Sequence, residues 1–276
     1  MNVTLLDGPV GTELARRGAR TDGQGWSSGA LLTDPDLVRA IHRDYARAGA
    51  TVHTANTFRT KRRDVGEAWE LLARTAVRLA REAIPPAHRV AGSVAPLADC
   101  YRPDLSPDNP EPEHHELSAV LVDAGVARIL VETLAHVPEA AWAGRAAART
   151  GIEVWCALTA GFRADLLTPV ELTEGARRAV DAGASAILVN CIPTAHTLGF
   201  VERLAGLGVR VGAYANGGSN AVGIGWDEAG PAQYARHARD WIDAGATIVG
   251  GCCGTGPTHI AAVAAHCGHG VGSLAP

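Results

Sequence analysis

Three thiols and two carboxylates stand where short apolar runs of this 276-residue chain give out. Asp7 closes Val3–Asp7, and Glu132 and Thr133 close Arg128–Thr133. Asn190 and Cys191 close Ala186–Cys191, while Thr247-Ile-Val breaks at Gly250 and Gly251 to present Cys252 and Cys253. Thr54, Asn56, Thr57, Ser93, Thr159 and Asn216 end other such runs; no histidine does, and His53 precedes an end. Two adjacent cysteines cannot complete a metal site, and they are too strained for an ordinary structural disulfide. Zinc accepts thiolates, and a catalytic zinc keeps three protein ligands with a fourth position open, so Cys191 is the candidate third ligand. The competing reading is a redox-active vicinal pair with Cys191 a buried bystander. Spacing alone leaves both open.

The charge count favours a particular chemistry. Three thiolates and Zn²⁺ sum to −1, so a bound water there is poorly activated, whereas a fourth thiol binds as thiolate. A free thiol, with a pKa of about 8.5, is mostly protonated at neutral pH. The thiolate complex attracts a cationic alkyl donor such as a sulfonium. Thiol alkylation is the natural output, and it needs no general base.

The elements that must position these groups are legible in the punctuation. Arg47-Ala-Gly-Ala50, Asp123-Ala-Gly-Val126, Asp181-Ala-Gly-Ala184 and Asp243-Ala-Gly-Ala246 each close an amphipathic run and lead into an apolar one. Thr150-Gly-Ile-Glu153 and Leu207-Gly-Val-Arg210 have the same form. Glycine just past a helix end takes the left-handed conformation without a Cβ penalty. Eight strands are expected: Val3–Asp7, Thr51–Asn56, Val90–Val94, Arg128–Thr133, Val154–Thr159, Ala186–Cys191, Arg210–Tyr214 and Thr247–Gly250. Helical patterns alternate with them: Pro35–Ala48, Arg63–Ala83, Leu117–Asp123, Pro138–Thr150, Thr173–Asp181, Thr197–Ala205, Pro231–Asp243 and one from near Pro257. The pattern predicts a single-domain (β/α)8 TIM barrel over residues 1–268, with 269–276 a disordered tail; a doubly wound sheet is the runner-up. The strands are apolar throughout rather than alternating, as covered parallel strands are.

Composition narrows the function. Net charge is −4 with mixed signs, which excludes a basic nucleic-acid face, and no apolar run approaches the ~20 residues of a membrane span. Without a signal peptide, the chain is expected in the cytoplasm. The six cysteines then read as free thiols, Cys156 as core, and Cys100 and Cys267 without a role. Gly8-Pro-Val-Gly11 matches no nucleotide fingerprint, and the only lysine, Lys61, falls in a charged loop rather than on a strand. Pro96–Pro112 and Asn216–Gly230 are expected as long irregular loops at the catalytic end.

Gly250-Gly-Cys-Cys-Gly-Thr255, with Val189-Asn-Cys191 and Leu6-Asp-Gly-Pro-Val-Gly-Thr-Glu-Leu14 upstream, resembles the homocysteine S-methyltransferase family from about Leu5 to His266. That family includes betaine–homocysteine and S-methylmethionine–homocysteine methyltransferases and the homocysteine module of cobalamin-dependent methionine synthase. The resemblance implies a zinc barrel that makes methionine from homocysteine, with Cys191, Cys252 and Cys253 as ligands. It implies that Asp7 and Glu132 hold the substrate's amino group and that Gly8 offers backbone N–H groups to its carboxylate. Thr57 assists, and Asn216 approaches the metal when substrate is absent. Each acid also has a structural reading: Asp7 as a cap on Gly11-Thr12, Glu132 as the partner of an arginine. The glycines around the cysteines are expected to clear space for zinc and the incoming thiol.

The departures concern the methyl donor. Ala95-Pro-Leu-Ala-Asp-Cys-Tyr101 replaces the family's Gly-Pro-Tyr-Gly, and the seventh-strand loop is compact and Gly-rich. With no folate or cobalamin module expected, a small donor used directly is favoured: S-methylmethionine first, S-adenosylmethionine second, a quaternary ammonium third. The rivals are another acceptor, such as selenohomocysteine, and a non-catalytic zinc or redox protein.

Overall fold

Apolar runs of β-branched and small residues form strands here because both of their faces are covered, by helices outside and by one another inside. The computed structural model describes residues 3–21, 23, 25–217 and 230–267. In chain order the elements are β1 (Thr4–Leu5), α1 (Val10–Arg16), α2 (Ala30–Thr33), α3 (Pro35–Arg47), β2 (Val52–Ala55), α4 (Arg62–Val65), α5 (Trp69–Ala83) and β3 (Arg89–Val94). There follow α6 (Glu111–Asp123), β4 (Arg128–Leu134), α7 (Val137–Ala148), β5 (Glu153–Leu158), α8 (Pro169–Asp181) and β6 (Ala186–Pro193). The last are α9 (Thr194–Leu204), β7 (Arg210–Asn216), α10 (Pro231–Asp243), β8 (Ile248–Gly251) and α11 (Pro257–His266). Short 3-10 turns cover Trp26–Gly29, Gly66–Ala68 and Pro103–Leu105.

All pairings are parallel, in the order β1-β8-β7-β6-β5-β4-β3-β2. A single bridge between Leu6 and Val52 joins the two ends of that order and closes the ring. The expected (β/α)8 barrel is therefore the fold, and the doubly wound sheet is excluded. Leu6, Val52, Leu130, Trp155, Leu188 and Ile248 help fill the interior as one buried cluster, and a larger cluster lies between strands and helices. Arg128 stacks its guanidinium 4.2 Å from the Trp155 ring.

All six punctuating glycines have left-handed backbones: Gly49, Gly125, Gly151, Gly183, Gly208 and Gly245, with φ from +75° to +109°. Elsewhere several elements differ from expectation; α6, for one, begins at Glu111, six residues before the expected Leu117. The helix expected over Arg63–Ala83 breaks at Gly66, whose φ of +59° no helix tolerates, so α4 and α5 are separate. Helix α8 starts four residues before the expected Thr173, because Thr168 and Glu171 form a capping box around Pro169. Helix α1, only seven residues long and without a side-chain cap, was absent from the expected elements.

The irregular segment Pro96–Pro112 is shorter than expected, with α6 already begun at Glu111. Lys61 lies between β2 and α4 rather than on a strand, as expected, and is buried with its ammonium 2.9 Å from Asp64. The predicted tail and most of the seventh-strand loop lie outside the described residues. Among the described residues, no helix is long and apolar enough to cross a membrane.

Candidate active site and metal centre

The three thiols converge at the C-terminal end of the strands. Cys252 Sγ lies 3.2 Å and Cys253 Sγ 4.0 Å from Cys191 Sγ, and all three fall within 4.8 Å of one another. Cys191 is aimed by a local break in β6: its φ is +55°, where the register with β7 shifts between Asn190 and Pro193. Strand β4 breaks in the same way, with Thr133 at φ +63° and a register shift between Val131 and Leu134. A left-handed β-branched threonine is strained, and such bulges re-aim the side chains beside them.

Cys252 and Cys253 sit on a turn tied down by backbone bonds. Cys252 N–H donates to Ala215 (2.8 Å), Gly217 N–H to the Cys253 carbonyl (2.8 Å), and the Thr255 hydroxyl to the Cys252 carbonyl (2.8 Å). The glycines before this turn are required by its packing, and Gly251 also lines the cavity beside the thiols. A Cβ on Gly250 would lie 2.5 Å from that of Leu6, and one on Gly251 would strike the Thr255 hydroxyl.

A cavity of about 650 Å³ opens above the thiols. Asp7, Gly8, Glu132 and Asn216 line it with the three cysteines. Glu132 is buried, bonded by the Ser93 hydroxyl and by the Tyr214 hydroxyl at 3.0 Å. Burial pushes its carboxyl up to about 7, against the pull of those two donors. Asp7, 3% exposed, accepts from Thr54 N–H at 3.0 Å, and desolvation raises its carboxyl well above the usual range. Neither acid follows its structural reading: Asp7 bonds Thr54 rather than Gly11-Thr12, and Glu132 bonds Ser93 and Tyr214 rather than an arginine. Asn216 leaves its buried Oδ1 without a partner among the described residues. A Cβ on Gly8 would come within 2.6 Å of the Tyr45 hydroxyl, so only glycine fits there.

Thr57 is placed differently. It does not line the cavity; its hydroxyl donates to the Ser93 carbonyl (2.8 Å) and accepts from Ser93 N–H (2.9 Å). Its visible work is to fix Ser93 and, through Ser93, Glu132. His53 packs against His42 of α3, away from the cavity.

Several cavity residues escaped the sequence reading. Tyr101 places its hydroxyl 3.2 Å from Cys191 Sγ and its ring edge-on to Phe162, centroids 4.9 Å apart. Its loop is anchored by Glu139, which is buried and accepts from Leu97 N–H (2.8 Å) and the Ser106 hydroxyl (2.6 Å) and meets His114 Nε2 (3.0 Å). Trp26, Phe58, Phe162 and Arg59 complete the mouth. Loop residues carry no periodicity that would have flagged them; Tyr214, at a predicted strand end, was within reach.

The thiol set fits a thiophilic dication. Zinc–sulfur bonds of about 2.3 Å in a tetrahedron set sulfurs about 3.8 Å apart, which the observed separations straddle. Three thiols so close do not all ionise on their own: hydrogen bonds from Cys191 and Cys252 hold Cys253 well below its ordinary value, while Cys191 and Cys252 are raised. A coordinated dication lifts that constraint, since coordinated thiols deprotonate.

The sequence pattern of the homocysteine S-methyltransferase family matches residues 4–267. The chain belongs to the homocysteine S-methyltransferase family. It is 33% identical over 299 residues to the homocysteine S-methyltransferase of Escherichia coli (strain K12), covering 96% of this chain and 95% of that one. An S-methylmethionine–homocysteine S-methyltransferase of Pongo abelii is 26% identical, covering 95% of this chain and 77% of that protein. The metallated crystal structure of the Escherichia coli homocysteine methyltransferase MmuM superposes with a TM-score of 0.82 at 27% identity over 96% of each chain. The homocysteine S-methyltransferase family transfers methyl groups to homocysteine, and the three-cysteine cluster of this member can hold a metal ion.

Proposed function

We propose that this protein transfers a methyl group from a small sulfonium donor to homocysteine on zinc, forming methionine. S-Methylmethionine is the first choice of donor and S-adenosylmethionine the second. The observation that carries the reading is three sulfurs grouped at 3.2 and 4.0 Å in one cavity with two buried acids, Asp7 and Glu132. Zn²⁺ held by Cys191, Cys252 and Cys253 would lower the pKa of the substrate thiol and keep it as thiolate.

The chain's own residues do the rest. Asp7 and Glu132 receive the ammonium group; a cation between them compensates charge that burial alone makes costly. Ser93 and Tyr214 fix the Glu132 carboxylate, and Thr57 fixes Ser93. Backbone N–H groups near Gly8 meet the substrate carboxylate. Asn216, whose buried Oδ1 has no partner among the described residues, lines the same cavity and would approach the metal when substrate is absent. Trp26, Phe58, Tyr101 and Phe162 line the same cavity, and an aromatic ring attracts a sulfonium by about 0.5–2 kcal/mol where its face is open to it. Arg59 at the mouth takes the donor's carboxylate.

In the transfer step a bond forms between the homocysteine sulfur and the methyl carbon as the bond to the donor sulfur breaks. The electron pair leaves with that sulfur, which becomes a neutral thioether. No proton moves at the methyl carbon, so orientation replaces a general base. All six cysteines are free thiols, which suits the cytoplasm. A donor panel with homocysteine, read as methionine formed and with zinc measured on the same sample, tests the proposal. Full turnover by a verified metal-free sample, or by Cys252→Ala, sinks it.

A further inference from the structure

Asp7 is also the end of a line of imidazoles that leaves the cavity in the opposite direction. His42 on α3 and His53 on β2 each place Nδ1 3.9 Å from Asp7 Oδ2. Both are fully buried, neither lines the cavity, and neither Nδ1 has a hydrogen-bond partner among the described residues. His53 Nε2 lies 3.1 Å from Nδ1 of His88, with the two rings stacked 5.4 Å apart and 11° from parallel. His88 is partly exposed and, with Arg81 and Arg89, lines a second cavity of about 410 Å³ where β3 begins, at the opposite end of the barrel.

Asp7, His42 and His53 each place a possible ligand atom within 4.8 Å of the others, close enough to hold a metal ion, but the line does not end with them: His53 turns its other nitrogen to His88, outside that group. The titratable groups facing Asp7 are His42 and Tyr45 from α3, His53 from β2 and Glu132 from β4, and none is a fixed cation. With nothing positive against it and burial nearly complete, the Asp7 carboxyl keeps its proton in the empty site. Burial likewise keeps His42 and His53 neutral; His42 is lowered to about 4.

An ammonium group arriving from the cavity needs a carboxylate, and it occupies the side from which water would have carried the proton off. We propose that Asp7, His53 and His88 form a proton path through which the Asp7 proton leaves by the far end of the barrel as the substrate's ammonium binds. The Asp7 carboxyl gives its proton to His53 Nδ1, His53 passes the one on Nε2 to His88 Nδ1, and His88 releases the one on its own Nε2 to water. A small rotation of the carboxyl or the imidazole closes the 3.9 Å step. When product leaves, the same transfers run backwards and restore both tautomers. His42, buried at both nitrogens, is a side arm without an exit.

The inference rests on the reading of Asp7 as the ammonium site, and methionine separates the two questions, because it carries the ammonium but no thiol proton. Zinc-loaded protein is mixed with methionine in weakly buffered solution near neutral pH, with an indicator dye followed by stopped flow. In a Glu132→Gln background, where Asp7 is the remaining acid of the pair, proton release accompanying binding is expected, slowed about tenfold or more by adding His88→Ala or His53→Gln. Added imidazole restores the rate in His88→Ala, which a merely structural role would not allow. Arg81→Ala, lining the same second cavity, releases protons at the parent rate. Equal rates in the parent and both histidine variants, or binding without proton release, overturn the path while leaving Asp7 as the ammonium site. Methionine and homocysteine binding that is indifferent to Asp7→Asn overturns that reading and the path together.

Discussion

Asn190 on β6 grips Thr133 on β4 across the intervening strand: its Nδ2 donates to the Thr133 hydroxyl at 2.8 Å and its Oδ1 accepts from Thr133 N–H at 3.2 Å. Each partner adjoins a residue of the site, Asn190 preceding Cys191 and Thr133 following Glu132. Both strained backbones, at Thr133 and Cys191, are thus tied by one side-chain amide, which links the segments that carry Glu132 and Cys191. Asn190→Ala strands a buried N–H and a hydroxyl, costing about 1–3 kcal/mol, and lets both bulges relax. Thermal melts together with zinc content should show lowered stability and partial metal loss. Unchanged zinc content and unchanged kcat/KM would contradict the linkage.

Replacing a sulfur ligand should abolish turnover without unfolding the barrel. Cys252 packs at the margin of the interior cluster and serine nearly matches its shape, so Cys252→Ser is expected to keep the fold while losing tightly held metal. We expect a fall in kcat/KM of roughly a thousandfold or more. Circular dichroism, elemental analysis and activity on one preparation check it.

Homocysteine affinity should weaken in acid. With its carboxyl near 7, Glu132 is neutral below that pH and offers an ammonium no charge; Asp7 acts in the same sense. Affinity is expected to fall by up to about tenfold per pH unit below the transition, and Glu132→Gln to be weak and to lose the break near 7 while keeping the dependence that Asp7 contributes. Stability of the empty protein runs the other way. Between 4.5 and about 7 the folded carboxyl keeps a proton that the unfolded one has lost, so this group's contribution falls as pH rises through that window. Calorimetric titration and melts across the range would expose a flat profile.

Tyr101→Phe keeps the ring against Phe162 and removes only the hydroxyl on Cys191. Partners behind metal ligands typically carry about 10- to 100-fold in metal affinity or activity, and an effect at the lower end is expected here. Glu139→Gln should act through the same loop, because it frees the Ser106 and His114 anchors. Zinc competition against a chelator measures both.

Arg59→Ala should raise KM for a donor that carries a carboxylate and spare one that does not. The Arg59 guanidinium lies 3.7 Å from Asp64 and 5.5 Å from the centre of the Phe58 ring, and Arg59 lines the cavity. Comparing S-methylmethionine with trimethylsulfonium in both proteins isolates the carboxylate. Equal changes for the two donors would remove Arg59 from donor recognition.

The barrel was legible because its grammar is local. Each glycine after a helix and each apolar run can be read within a dozen residues, and the strands match their expected places to within a few residues. Strand ends and ligand chemistry offered the convergence of Cys191 with Cys252 and Cys253 as one of two readings, and the family resemblance favoured it. What escaped depends on contacts distant in sequence. Tyr101 reaches Cys191 only because Glu139 pins its loop, and Thr57 turns away because Ser93 claims both functions of its hydroxyl. The capping box at Thr168 was readable and was missed, which shortened α8 at its start.

The two-residue β1 and the lone Leu6–Val52 bridge give the barrel a seam with few stitches, and Asp7 stands at its upper end. Glu132, the other acid, stands on the opposite arc of the ring. A substrate ammonium shared by the two would span the cylinder and clasp the seam from above. In the proposed pose the ligand is thus a structural member as well as a reactant. Hydrogen exchange should register this as slowed opening at Leu6, Asp7 and Val52 when homocysteine is bound.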